Sequence, residues 1–397
     1  MRYEEYKDSG VAWIGEIPSH WEVAAFKRRI SINNGRDYKE FQDDEIYPVM
    51  GSGGCFAYCS RYMYDGEALL LGRKGTIDKP LYINGKFWTV DTMFYAIPNK
   101  DLDCKFAYYL AITFPFNLYS TSTALPSMTQ TDLGNNPVAF PPLVEQQAIA
   151  SYLDKKGGKI NGAIDVQKKK IDLLNELKQT IITNAVTKGL NPNAPMKDSG
   201  VEWIGQVPEH WEVCKLKYIL KLINGRAYSQ NELLDDGKYK VLRVGNFFTN
   251  EQWYYSNLEL EKEKYCHSGD LLFAWSASFG PKIWNEDNTI FHYHIWKVNI
   301  AKTYDKMYAY YILTALSDFK RGDVHGSTMV HLTMDNMNNS FLTIPSLSEQ
   351  QSIVKYIEFE VSKVDAQISR ANRRIELLNE LKQSIITEAV TGKIKVI

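Results

Sequence analysis

The sequence predicts an α+β protein: two mixed α/β modules separated by two long antiparallel coiled-coil helices, related by a pseudo-two-fold internal repeat. Three observations predict it. The two halves of the 397-residue chain begin and close on nearly the same words. A seven-residue apolar period runs through the segment that closes each half. Between these ends lie short strand-like runs broken by turn residues. A chain this long exceeds one core and splits into domains.

The opening comes first. Lys7 to Val23 reads KDSGVAWIGEIPSHWEV and Lys197 to Val213 reads KDSGVEWIGQVPEHWEV. Thirteen of these 17 positions are identical at an offset of 190. Ile171 to Thr187 (IDLLNELKQTIITNAVT) and Ile375 to Thr391 (IELLNELKQSIITEAVT) agree at 14 of 17 positions, at an offset of 204. PPLVEQQAI from Pro141 returns as PSLSEQQSI from Pro345. The middles share little beyond Asn34-Gly35-Arg36 with Asn224-Gly225-Arg226, and GEALLLGRKG from Gly66 with GDLLFAWSAS from Gly269. A shared frame thus holds two dissimilar inserts. Lys188 to Gly200, with two Pro and two Gly, reads as the linker between halves.

Within the modules, runs rich in Val, Ile, Tyr, Phe and Trp predict strands at Leu69–Leu71, Phe87–Val90, Met93–Ile97, Tyr239–Val244, Leu271–Trp275 and Ile290–Val298. Asn84-Gly85 and Asp236-Gly237 read as turns between them. Lys105–Thr113 and Asp305–Leu316 read as helices.

From Glu349 to Ala389 the period is helical. Ile357, Val364, Ala371, Leu378 and Ile385 recur every seven residues, interleaved with Val361, Ile368, Ile375 and Ala389, and Lys382 fills one polar slot. Steps of four and three form a coiled-coil seam. The first half keeps the frame with Leu153, Ile160, Leu174, Ile181, Ile164, Ile171 and Ala185. Gly157, Gln167 and Lys178 weaken its seam, and Gly157, Gly158 and Gly162 each cost about 1 kcal/mol of helix propensity. A helix about 60 Å long with one apolar stripe needs a partner, and the other copy supplies it in antiparallel pairing.

Composition narrows the function. With 46 basic and 47 acidic residues the net charge is −1, which excludes a chain coated in one sign of charge. It leaves room for a local basic face that binds nucleic acid. Cys55, Cys59, Cys104, Cys214 and Cys266 are odd in number and scattered, as expected of free thiols in a reducing cytoplasm. The opening MRYEEYKDSG has no apolar targeting core, and no run reaches 18 apolar residues, so neither a signal peptide nor a membrane span is expected. Walker, dinucleotide and adenosylmethionine signatures, nuclease carboxylate clusters and nucleophile elbows are missing, so no catalytic residue, cofactor or metal is expected in the chain. His292-Tyr293-His294 reads as a strand with both histidines on one face, without a third ligand at zinc spacing.

Candidate contacts with a partner sit in the loops. Ser52-Gly53-Gly54 is either a tight loop that brings backbone close to a ligand or an ordinary turn. Arg73, Lys74 and Thr76 stand at a strand end, where cations and a hydroxyl meet guanine edges, phosphates or a thymine methyl, or form a solvated turn. Trp275, Ser276, Ser278 and Phe279 occupy the corresponding strand end of the second module, where core packing competes with groove contact. Polar loops at Thr121, Ser122 and Thr123 and at Ser327 and Thr328, each followed by a methionine (Met128, Met329), precede the two long helices. Arg36, Tyr58, Arg61, Lys79 and Ser127 complete the first module's candidates. Arg226, Tyr228, Arg243, Asn246, His294, His325 and His331 complete the second's.

The doubled set of motifs resembles the specificity (S) subunits of type I restriction-modification systems. The resemblance runs the length of the chain. It implies target recognition domains at 1–144 and 189–348, each reading one half of a bipartite, asymmetric double-stranded DNA site. It implies helices at 145–188 and 349–397 that set the spacer and dock two methyltransferase subunits. Leu174, Asn175, Leu177, Lys178 and Ile181 would serve docking or pairing, together with Leu378, Asn379, Leu381, Lys382 and Ile385. Glu176, Gln179, Glu380 and Gln383 share that repeated surface. Restriction subunits would join through the methyltransferases, and those partners would use S-adenosylmethionine, ATP and Mg. The Trp13/Trp21 and Trp203/Trp211 openings would brace each module against a helix end. Two other readings stand beside this one: a DNA-binding adaptor of another defence system, and a coiled-coil scaffold that binds protein.

Overall fold

A computed structural model describes residues 2–42, 46–116, 126–276, 279–322 and 332–396. It contains two compact units, Met1–Lys168 with Asn372–Ile397, and Lys169–Ala371. Each unit therefore holds one module, the start of the helix that follows it, and the end of the other long helix. The central helix runs Leu143–Lys188 and the C-terminal helix Leu347–Val390. Among the described residues no helix is long and apolar enough to cross a membrane.

In the first unit the opening motif forms a small hairpin, Tyr6–Asp8 against Glu16–Pro18. Glu22–Ala25 then pairs with Pro137–Phe140, the strand that leads into the central helix. A six-stranded sheet carries the rest, in the order Ile30–Asn34, Met93–Pro98, Tyr64–Gly72, Leu81–Thr89, Tyr47–Gly51, Gly54–Cys59. All its pairs are antiparallel except Tyr47–Gly51 with Leu81–Thr89. Helix Cys104–Ala111, capped by the Asp103 carboxylate on the Phe106 N–H, buries Phe106 and Leu110 against that sheet.

The second unit repeats the frame and changes the filling. Met196–Asp198 pairs with Gln206–Pro208, and Glu212–Lys215 with Phe341–Ile344. Two four-stranded sheets replace the single six-stranded one. The first is ordered Leu220–Asn224, Ile295–Ile300, Leu271–Ala274, Gly280–Ile283; the second Tyr254–Ser256, Tyr239–Leu242, Thr289–Phe291, Tyr265–Cys266. Helix Lys306–Gly322 packs against the first.

The repeated words touch one another in space. In the first unit His20 Nε2 lies 2.9 Å from Glu145 Oε2, and the Tyr3 hydroxyl donates to the same carboxylate. In the second, His210 Nε2 lies 2.7 Å from Glu349 Oε1, and Trp211 Nε1 donates to that oxygen at 3.2 Å. Burial pushes the Glu349 carboxyl up, but bonds from His210, Ser346 and Trp211 outweigh it and hold the group at about 2. The neighbouring glutamines are fully buried and fully bonded. Gln146 accepts from the Asp103 N–H at 2.9 Å and donates to the Asp101 and Pro141 carbonyls. Gln350 does the same with Asp305, Thr303 and Pro345. The HW and EQQ motifs are thus two halves of one clamp at the start of each long helix.

The long helices run antiparallel within each unit. Ile386, Ala389 and Val390 join Trp21, Ile149 and Leu153 in the first core, and Lys382 Nζ donates to Asn161 Oδ1 at 3.0 Å. Ile182, Ala185 and Val186 join Trp211, Ile353 and Ile357 in the second, and Lys178 Nζ reaches Asp365 at 2.8 Å. The expected seam is the buried one: Ile160, Ile164, Leu174, Val364 and Ala371 are all buried. Both lysines at its polar slots reach across to the facing helix. Both helices end in a left-handed glycine, Gly189 (φ +71) and Gly392 (φ +73). A Cβ on Gly392 would stand 2.3 Å from Pro18 Cδ, and one on Gly189 3.0 Å from Trp211. The bracing role expected of Trp21 and Trp211 is what their complete burial there provides.

Several local expectations change. Asn84-Gly85 lies inside strand Leu81–Thr89, where Gly85 faces Gly66, because pairing with Tyr64–Gly72 overrides its turn propensity. The strand expected at Ile290–Val298 breaks at His292–His294, where a turn separates Thr289–Phe291 from Ile295–Ile300. Tyr239–Leu242 ends early because Val244–Phe248 is helical, and the helix expected to end at Leu316 continues to Gly322. Met196–Asp198, read as linker, is a strand.

The central helix is continuous through Gly157, Gly158 and Gly162, and a Cβ at any of the three meets nothing within 4 Å. Gly158→Ala and Gly162→Ala are therefore expected to stabilise the protein by about 0.5–1 kcal/mol each, read by chemical denaturation.

Candidate nucleic-acid interface

In the first unit three segments converge beyond the strand ends. Gly35 lies against the backbone of Thr89 and Val90, where a Cβ would fall 2.0 Å from the Val90 carbonyl, and this turns exposed Arg36 outward. The Arg36 N–H donates to Thr89 O at 2.9 Å, and Trp88 Nε1 donates to Arg36 O at 2.8 Å. Gly72 ends its strand against Thr76, and the next three residues are tied down on two sides. Arg73 N–H donates to Thr92 O at 2.8 Å, Met128 N–H to Arg73 O at 3.0 Å, and Lys74 bridges to Ser127. The Arg73 guanidinium reaches Asp91 O at 3.3 Å and stands 5.9 Å from the Phe94 ring centre. Lys74, Thr76 and Lys79 are exposed beside it. Ser52-Gly53-Gly54 is the tight turn between strands Tyr47–Gly51 and Gly54–Cys59, and exposed Tyr58 lies on the second of these. Arg61 lies over the Phe41 ring at 4.7 Å.

In the second unit the same backbone construction carries different chemistry. Gly225 packs on the carbonyls of Phe291 and His292, and Arg226 N–H donates to Phe291 O at 3.0 Å. Trp275 N–H donates to His294 O and Leu332 N–H to Trp275 O, the pair of bonds that Arg73 makes in the first unit. An aromatic ring thus occupies the strand end where the other module has a cation. Trp275 Nε1 donates to Tyr293 O at 2.7 Å, and the ring meets His294 edge-on at 4.9 Å.

Other expected residues sit elsewhere. Phe279 is buried in the core under Arg321, which donates to its carbonyl, so the expectation that its ring meets DNA does not hold. Ser276 is buried too. Arg226 gives its fork to Glu232 at 2.7 and 3.0 Å and packs over Tyr228, whose ring stacks on His292. Bonds from Arg226 and Ser229 hold Glu232 down at about 2, so both charges of that pair persist at neutral pH. Thr121, Ser122, Thr123, Ser278, His325, Ser327, Thr328 and His331 lie outside the described residues.

Arg243 and Asn246 line a cavity of about 270 Å³ together with Tyr254, His292 and His294. Burial pushes the His292 imidazole down to about 4, reinforced by His294 and Arg243. Nothing in the local sequence announces Gln252 and Tyr254, which the fold brings to the same cavity.

On the helices, Leu174 is buried and Ile181, Leu378 and Ile385 are half-buried in the seam. Asn175 and Asn379 are exposed. Leu177 and Leu381 are about half exposed, so they face outward instead of pairing the helices. Sequence reasoning missed Leu173 and Leu377, which are exposed one turn earlier.

The family described as "Type I restriction modification DNA specificity domain" matches residues 18–180 and again 208–380. The chain belongs to this family. The two matches follow the internal repeat. The chain is 24% identical to the type I restriction enzyme MjaVIII specificity subunit of Methanocaldococcus jannaschii, over 96% of this chain and 94% of that one. It is also 24% identical to a putative type I specificity subunit of Haemophilus influenzae, over 84% and 87%. A chain solved in work on complex assembly and conformational transition of the type I R-M system shares the fold. Its TM-score is 0.70 at 15% identity, over 95% of this chain and 99% of that one.

The depressed His292 implies a visible titration. The unfolded chain carries an ordinary histidine near 6.5 and takes up its proton first. His292 therefore stabilises the fold fully above about 6.5, and that contribution is lost as the pH falls toward 4. NMR titration is expected to place its midpoint near 4, with the ring neutral at pH 7.

Proposed function

We infer that each module reads one half of a bipartite, asymmetric DNA site, and that the long helices set the gap between half-sites and dock two methyltransferase subunits. The observation that carries this is one backbone frame presenting different chemistry: Arg73-Lys74 in the first module, Trp275 at the same hydrogen-bonded position in the second. Symmetric readers read palindromes; a shared frame with two different faces reads two different half-sites. Side chains at strand ends reach base edges, while neighbouring cations meet phosphates.

Matching exposed leucines on both long helices support two equivalent partner sites, since an exposed apolar pair at i, i+4 is covered favourably by a partner. The chain itself performs no chemistry in this reading. The methyltransferase partners bring S-adenosylmethionine, and restriction subunits that join through them bring ATP and Mg. Balanced charge fits a reader whose partners supply part of the grip on phosphates.

The test is co-expression with a methyltransferase partner and mapping of methylated adenines across a genome. A bipartite motif that appears only when both chains are present is the expected result; methylation or cleavage by the purified chain alone would overturn the non-catalytic role. Arg73→Ala is expected to relax base preference in one half-site by about 10-fold or more while the other stays intact. Four residues inserted near Lys168, about one helical turn, are expected to lengthen the tolerated spacer, read from the same methylation maps.

A further inference from the structure

The second module contains three arginines, Arg226, Arg243 and Arg321. Two are committed to the fold. Arg226 forks onto Glu232, and Arg321 donates to Asp318 and to the Phe279 carbonyl. Arg243 differs. Its guanidinium lies 5.2 Å over the Tyr254 ring, and among the described residues no carboxylate or carbonyl takes its hydrogen bonds. A ring face holds a guanidinium in plane without using its N–H groups. Its planar fork is thus oriented and open at the rim of the 270 Å³ cavity.

A second group that lines the cavity is an oriented acceptor. Asn246 Nδ2 donates to the Asn250 carbonyl at 3.1 Å and to the Gln252 carbonyl at 2.6 Å. Both amide protons are used, and reversing the amide would set its oxygen against two carbonyls, so Oδ1 is left to accept. His292, half-buried and neutral at pH 7, adds no second charge there. Arg243 and Asn246 therefore offer the cavity a flat pair of donors and one acceptor.

In the major groove two acceptors lie side by side on guanine, N7 and O6, with the cytosine N4 amino donor next along the same pair. We propose that this cavity reads a G·C pair in the second half-site, with Arg243 donating to guanine O6 and N7 and Asn246 Oδ1 accepting from the cytosine amino group. Tyr254 and the carbonyls of Asn250 and Gln252 position these two groups. The proposal rests on the reading of the second module as a DNA reader and names what that reader recognises.

The test uses the full chain with its methyltransferase partner and duplexes carrying the mapped site. The second half-site is the one that changes when residues 189–348 are exchanged for those of another family member. Its G·C pairs are replaced one at a time by A·T, and separately guanine by 7-deazaguanine, which removes N7. At one pair the native chain is expected to lose roughly 10- to 100-fold in affinity. In Arg243→Ala and in Arg243→Met that penalty is expected to shrink to about twofold, with the first half-site still read normally.

Arg243→Met keeps an unbranched stem against Tyr254 and removes every donor, so it carries the test where Arg243→Ala fails to fold. Retained discrimination against A·T and against 7-deazaguanine in Arg243→Met, which has no donor for O6 or N7, would overturn the proposal. So would a second half-site with no G·C pair, which leaves the bipartite reading intact. Absence of base preference at both half-sites in the native complex would overturn that reading itself.

Discussion

Each module's core is closed by the last turns of a helix that does not directly follow it. Trp21 is buried against Ala389 and Val390, and Trp211 against Ala185 and Val186. A buried tryptophan and its neighbours account for several kcal/mol of apolar burial, a large share of a domain's net stability. Neither core closes until the two helices lie antiparallel. The clamp at the other end adds a polar constraint. Buried Gln146 and Gln350 must satisfy every amide group, which fixes how each helix leaves its module. These demands explain why the openings, the EQQ segments and the helix ends are the repeated words.

The seam between the helices is less demanding than the cores. Its aliphatic positions are buried, but Lys178 and Lys382 stand in the same slot of each copy and cross to Asp365 and Asn161. Exposed pairs of this kind contribute little to stability. They favour one register, since a slip would leave each lysine facing an apolar neighbour. The outward leucines have no such internal role, and they are exposed at the same positions of both copies.

Inside the modules the constraint relaxes, and here local sequence says least about the fold. Strand-like runs are strands where burial and β-propensity agree, as at Leu69–Leu71 and Met93–Ile97. Pattern and structure part where long-range pairing decides, as at Asn84-Gly85 and His292–His294. The candidate site shows the same division. Arg73 and Lys74 come together with Ser127 from a distant stretch. Arg226 and Phe279 suit a ligand by residue type, yet one is bound by Glu232 and the other lies in the core. A cation or a ring has the same letter whether its partner is a ligand or a neighbour.

The duplication, the coiled-coil seam and the family are legible along the chain, because near-identical words and a seven-residue period are one-dimensional signals. Folding in three dimensions settles which helix end completes which core, which arginines are spent on internal bonds, and which way the Asn246 amide points. Those outcomes depend on contacts between residues far apart in the chain. They are set by which acceptor or ring face is nearest in space, a quantity no local pattern encodes.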